Sequence, residues 1–407
     1  MSNSTAPQWK TLRLGDVASK IQDGTHFSPA SSHGPFRYLT SRNVRFGYID
    51  LTASGWVSES EHRVIYRRCD PRRGDILLTK DGANTGNAAI NTLDEQFSLL
   101  SSVAMLRFNP SEHVPGFYLQ YLLSPRGQGQ LKSQMSGNAI TRLTLTKIKN
   151  LLVPVPLFHE QRRIAEILDA LDKAIRSTAQ LMSKLEKAGQ GLRHDLLTRG
   201  IGGSGELRDP ATSCTFANSE LGLIPCDWRI VSAADIASKS HGSLIIGPFG
   251  SNLVASDYRS SGVPVVFVRD VQPDNFSWVS DVYVSVQKAA ELSAHTVYPG
   301  DLVITKMGLP PAIAAVYPYG LLSGVVTADV IRLRPDIDVV DPAWLSLAIN
   351  SDSTRRQIAA ITGGVTRPKI TLRDFRKVLI ALPPRNEQRA ISDRVQALTA
   401  GASFCLV

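Results

Sequence analysis

Between Pro154 and Thr198 the chain reads PVPLFHEQRRIAEILDALDKAIRSTAQLMSKLEKAGQGLRHDLLT, and few folds can accommodate such a segment. After a Pro-x-Pro stop, the seam positions are Ile164, Leu168, Leu171, Ile175, Thr178, Met182, Leu185, Gly189, Leu192 and Leu196. Steps alternating between four and three residues give a 3.5-residue period, which suits a narrow seam for one partner helix. Gln, Arg, Glu, Asp and Lys fill the remaining positions, as the solvated back of such a helix requires. About 37 helical residues at ~1.5 Å each predict a rod of ~55 Å. The same junction recurs as Pro383-Pro384-Arg385-Asn386-Glu387-Gln388-Arg389-Ala390-Ile391, so the chain is expected to contain two similar halves.

Other pairs support the duplication. Trp9 to Ala18 and Trp228 to Ala237 each run from a tryptophan to an Asp-apolar-Ala step, read as a strand entering a helical turn. Gly74-Asp75-Ile-Leu-Leu-Thr-Lys80 is answered by Gly300-Asp301-Leu-Val-Ile-Thr-Lys306, a turn feeding a buried strand. Ser101–Phe108 and Val325–Leu333 read as matched strands, each followed by a helix, from Pro115 to Leu123 and from Pro342 to Ile361. Gly137 to Arg142 is matched with Gly364 to Arg367, before the closing strands 151–155 and 378–382. Two copies at so long a period mean duplicated domains and not a solenoid.

The 407 residues suffice for two or three domains, and 43% hydrophobic with 20% charged residues is the composition of a folded soluble protein. With no long apolar run and no apolar leader at the N-terminus, a cytoplasmic location is expected. Cys69, Cys214, Cys226 and Cys405 lack CxxC spacing, which argues for thiols and against a structural zinc. The net charge of +9 suits a polyanionic partner. No GxxxxGK[ST], HExxH or GxSxG occurs, and no two histidines have metal-binding helical spacing, so neither a catalytic site nor a metal site is expected. Gly200 to Gly205 satisfies GxGxxG but follows a helix, where a dinucleotide site needs a preceding strand. Asp75 and Asp301 read as turn caps, and Lys80 and Lys306 as groove-facing bases.

The doubled Glu-Gln-Arg junction, the Leu221-Gly-Leu-Ile-Pro-Cys-Asp-Trp228 lead-in and the paired Gly-Asp-apolar-Thr-Lys strands resemble the specificity (S) subunits of type I restriction-modification systems. The likeness covers nearly the whole chain. It implies a mixed α/β (α+β) fold, with two target recognition domains joined by long helices that pair as an antiparallel coiled-coil spacer. Each domain would read one part of a split double-stranded DNA target. It further implies no catalysis in this chain. Two modification subunits would methylate, and flip, adenine with S-adenosylmethionine, and restriction subunits would use ATP and Mg²⁺. A DNA-binding adaptor of another multi-subunit DNA-processing complex is the alternative.

The expected domains are residues 1–156 and 225–383. A spacer helix at 157–199, a linker at 200–224 and a second, shortened spacer helix at 384–407 complete the chain. About 20 residues after Glu387 cannot cover the first seam, so Leu185 to Leu196 is expected to be exposed or covered by another protein. Candidate DNA contacts are Arg42, Asn43, Arg45, Lys80, Asn84, Thr85, Thr141 and Arg142, then Arg269, Lys306, Thr366, Arg367 and Lys369. Gly82, Gly86, Gly137, Gly308 and Gly364 would let backbone approach phosphate. Spacer and partner positions are Glu160, Gln161, Arg162, Ile164, Leu168, Leu171, Ile175, Met182 and Leu185, with Glu387, Gln388, Arg389 and Ile391 in the second copy.

Overall fold

The computed structural model describes residues 9–30, 32–136, 141–211, 216–364 and 366–404, with side chains to residue 398. Gly137 and the loop to Ile140 lie outside the described residues. The first domain comprises β1 (Lys10–Arg13), α1 (Leu14–Val17), β2 (Ala18–Asp23), β3 (Phe36–Leu39), β4 (Gly55–Val57) and α2 (Glu59–Arg68). It continues with β5 (Ile76–Thr79), β6 (Ala88–Ile90), β7 (Phe97–Leu99), β8 (Val103–Phe108), α3 (Pro115–Leu123), α4 (Pro125–Gln134), α5 (Leu145–Lys149) and β9 (Leu152–Val155). α6 then runs from Phe158 to Thr198, 41 residues. It is longer than its seam because it starts directly after the proline stop. The chain divides into two compact units at Gln180/Leu181, within α6.

The central antiparallel sheet has the order β2-β8-β5-β6. Its inner strands, β8 and β5, are largely apolar on both faces because both are covered. Ile76, Leu78, Ala104 and Leu106 pack with Phe117, Tyr118 and Leu131 of the helical layer. Leu77, Val103 and Met105 point the other way, toward Leu39, Phe97 and Leu99 of a second sheet, β4-β3-β7. Gly24 sits where the two sheets cross. A Cβ there would lie 1.9 Å from the Leu99 carbonyl oxygen, so only glycine fits. β1 pairs antiparallel with β9, holding the two ends of the domain side by side.

The second domain repeats this plan. Arg229–Ser232 pairs with Leu379–Leu382, and strands 244–246, 330–333, 302–305 and 314–316 form the four-stranded sheet in the same order. Val263–Val266 pairs parallel with Gly324–Val326, as β3 does with β7. Gly247 repeats Gly24, a Cβ lying 2.2 Å from the Thr327 oxygen. The Asp75 and Asp301 carboxylates cap their own turns, accepting from the Arg72 and Tyr298 amides at 2.7 and 3.0 Å. Arg107 and Arg334 hold them from the neighbouring strand. Beside the first pair, burial raises the Asp70 pKa, but bonds from Lys20 and Arg107 outweigh this and hold it near about 2.

Four expectations change. Val325–Leu333 is not one strand: a turn at Thr327 to Val330 sends its two ends into different sheets. The helix expected at Pro342–Ile361 breaks at Ser351, whose hydroxyl caps a second helix, as Ser124 does between α3 and α4. The described residues of 200–224 hold ordered structure and not a loose linker. Ile201 bridges Leu207, Phe216–Ser219 pairs with Gly222–Pro225, and Ile201 and Ile224 enter the second domain's core. The seam also divides differently from expectation. Ile164, Leu168 and Met182 are half-buried, Leu171, Ile175, Leu185 and Leu192 are exposed, and Leu196 is fully buried in the second core. In the C-terminal helix, Arg385–Phe404, Ile391 and Val395 join that same core.

The repeated junction is a structural clasp. The Gln161 side chain accepts from the Val114 amide at 3.0 Å and donates to the Pro156 carbonyl at 3.0 Å. Gln388 accepts from the Asp341 amide at 2.7 Å and donates to the Pro383 carbonyl at 2.9 Å. Each glutamine thus fixes the start of a core helix to the end of the closing strand. The neighbouring glutamates differ. Glu160 accepts from the Leu157 amide at 2.9 Å, a helix cap, whereas Glu387 is buried and takes bonds from the Ile201 amide, Arg208 and the Trp228 indole. Arg162 lies over the Phe158 ring, and Arg389 is exposed.

Candidate nucleic-acid interface

Three backbone pieces converge at one end of each domain. The first is the hairpin that follows the Thr-Lys strand end. Gly86 donates its amide to the Thr79 carbonyl at 2.9 Å, and Ala312 donates to Thr305 at 2.6 Å, closing loops of equal length. Gly86 has φ +97 and Ala312 φ +58, so both turns close in the left-handed region. The second piece is a turn after the parallel strand pair. The Asn43 amide donates to the Thr40 carbonyl and its side-chain oxygen accepts from the Thr40 amide at 3.0 Å. Asp270 repeats both bonds with Phe267, at 3.1 and 2.8 Å. Arg42 and Arg269 are therefore structural counterparts.

The third piece is the basic segment before the closing helix turn. Arg142 bridges Asp81 and Ser136, and Lys369 bridges Met307 and Gly363. The Leu143 and Ile370 amides both donate to the carbonyl of the lysine that ends the strand, Lys80 or Lys306. Lys369, and not Arg367, is thus the counterpart of Arg142. The sequence match of Thr141-Arg142 with Thr366-Arg367 is off by two residues: the bridged segments Ser136–Arg142 and Gly363–Lys369 are equally long, and the Thr-Arg pair stands two positions earlier in the second.

In the first domain the pieces interlock. The Asn84 side-chain Nδ2 donates to the Ser41 carbonyl at 3.3 Å, the Thr85 hydroxyl to the Thr141 carbonyl at 3.1 Å, and the Thr141 hydroxyl to the Gly82 carbonyl at 2.9 Å. Arg142 pairs with Asp81 at 3.1 Å, and Arg45 with Asp50 at 3.6 Å. In the second domain the pieces line one cavity of about 670 Å³, where Arg269, Met307, Gly308, Thr366 and Arg367 meet Phe267.

The residues proposed as contacts have different surroundings. Lys80 does not face a groove: it is 3% exposed, 2.9 Å from Asp81 and 3.5 Å from Asp23. Burial requires such pairing, and the pairing leaves little charge for a phosphate. Lys306, at the same backbone position, is half-buried, lies over the Phe249 ring and donates to the Ala328 carbonyl. Asn43 is buried as a turn-former. Arg42, Arg142, Arg269, Thr366, Arg367 and Lys369 are exposed. Sequence reading chose Arg42 and Arg269 without pairing them; the recurrence of Arg-(Asn/Asp)-Val in both halves was the available signal. It also passed over the aromatic groups, Phe267 and Phe249 in one domain and Phe46 and Tyr48, exposed beyond the Arg42 turn, in the other.

The duplicated mixed α/β fold has solved counterparts. A chain from "Structural basis underlying complex assembly and conformational transition of the type I R-M system" aligns with TM-score 0.55 and 20% identity, over 98% of this chain and 92% of that one. The type I restriction-modification S subunit of M. genitalium aligns with TM-score 0.53 and 14% identity, over 100% and 93%. The sequence matches the family described as "Type I restriction modification DNA specificity domain" over residues 7–187 and 286–403, and the chain belongs to that family. Among its relatives, the MjaVIII specificity subunit of Methanocaldococcus jannaschii is 23% identical over 400 residues, 96% of this chain and 86% of the relative. The EcoBI specificity subunit of Escherichia coli is 22% identical over 331 residues, 81% of this chain and 67% of its own length.

Proposed function

We propose that this chain is the DNA-reading subunit of a type I restriction-modification complex, with each domain reading one part of a split target. The observation that carries this reading is the three-piece cluster, built twice from corresponding backbone and dressed with different side chains. Equal scaffolds with unequal surfaces suit two readers of unequal sequences. Exposed arginines and lysines would meet phosphates, while a few side chains reach base edges. Once one half-site is held, the second binds as an intramolecular event.

In this proposal the chain is non-catalytic. Modification subunits with S-adenosylmethionine supply methylation, and restriction subunits with ATP and Mg²⁺ supply translocation and cleavage. Among the described residues no group of His, Cys, Asp or Glu is arranged to hold a metal, and no helix is long and apolar enough to cross a membrane. Methylome sequencing of cells expressing the chain with its partner subunits is the test. A split adenine-methylation motif that disappears with this gene is expected; a continuous motif, or none, would refute the reading.

A further inference from the structure

We propose that Arg269 reads a guanine in the half-site bound by the second domain, an inference that rests on the function proposed above. Its guanidinium carbon lies 4.6 Å from the centre of the Phe267 ring, and its Nε donates to the Ser280 hydroxyl at 2.7 Å. Ser280 in turn donates to Asp270 at 2.8 Å. The Asp270 carboxylate is fully buried and also accepts from the Phe267, Val279 and Ser280 amides at 2.8–3.1 Å. Ring, hydroxyl and buried carboxylate therefore hold the guanidinium plane through Nε, on a residue that is itself exposed. Arg269 lines the 670 Å³ cavity together with Thr366 and Arg367.

A phosphate contact needs charge and little orientation, so a mobile lysine serves it well. A planar fork fixed in direction is what two parallel bonds to guanine O6 and N7 demand. The first domain sharpens the contrast. Arg42 occupies the same turn, but Thr40 stands where Phe267 provides the platform. The two domains thus share the position and differ in how firmly the arginine is aimed.

The complex would be assembled with wild-type chain, Arg269→Lys or Arg269→Ala, and the methylated motif determined for each. Both variants should lose discrimination for one guanine of one half-site by about ten- to a hundredfold, leaving the other half-site unchanged. Replacing that guanine by 7-deazaguanine should weaken wild type and leave Arg269→Ala unaffected. Asp270, not Arg269, builds the turn, so unfolding midpoints should match wild type. An unchanged motif with uniformly weaker methylation would overturn the inference in favour of a phosphate contact, as would Arg269→Lys behaving like wild type. Failure of the function itself shows separately, as a wild-type complex with no split motif.

Discussion

Gln161 satisfies one backbone donor and one backbone acceptor, and Gln388 one donor and two acceptors, that would otherwise be stranded beside the core. Both side chains are nearly fully buried. Replacing either by alanine leaves those groups without partners, at a cost of ~2–3 kcal/mol. Denaturant unfolding of Gln161→Ala should show that loss in the transition of the first domain, and Gln388→Ala in that of the second. A change below ~0.5 kcal/mol would mean that water replaces the side chain without penalty. Glu160 and Glu387 show why the matching letters beside them carry less: one caps a helix, the other is a buried hub for Arg208 and Trp228.

At the scale of elements, α6 combines good helix-forming residues with Gly189 and Gly191 close together. Neither has a left-handed φ, and a Cβ at either would meet nothing within 4 Å. Each glycine weakens the helix by roughly 0.5–1 kcal/mol relative to alanine. The Gly189→Ala, Gly191→Ala double variant should therefore gain ~1–2 kcal/mol of helix stability, measured by thermal unfolding followed by circular dichroism. A loss would show that something packs against these positions. Helices and buried strands were legible in the sequence because period and capping are local. The 3.5-residue seam located α6, and the Gly-Asp turns located the strands they feed. Pairings were less legible. Val325–Leu333 looks like one apolar run, and only the turn at Thr327 to Val330 assigns its halves to two sheets. Lys80 and Lys306 share a motif, yet the first is paired inside the domain by Asp81, where Met307 follows Lys306, and by Asp23, distant in sequence.

For the whole molecule, the length of α6 is the quantity with functional weight. Four residues inserted between Ala170 and Lys187 add about one helical turn, ~6 Å of rise. The methylated motif should then keep both half-sites and widen the gap between them, read by methylome sequencing. A changed half-site sequence would refute a spacer role.

The antiparallel clasp of Lys10–Arg13 with Leu152–Val155, repeated by Arg229–Ser232 with Leu379–Leu382, has a consequence for how such a chain can change. Because the polypeptide leaves each lobe beside the point where it came in, everything between the two clasp strands can be rewritten without redirecting the helix that follows. New reading surfaces can thus arise by exchange of the interior of a lobe, while the strand that leads into the next helix keeps its place.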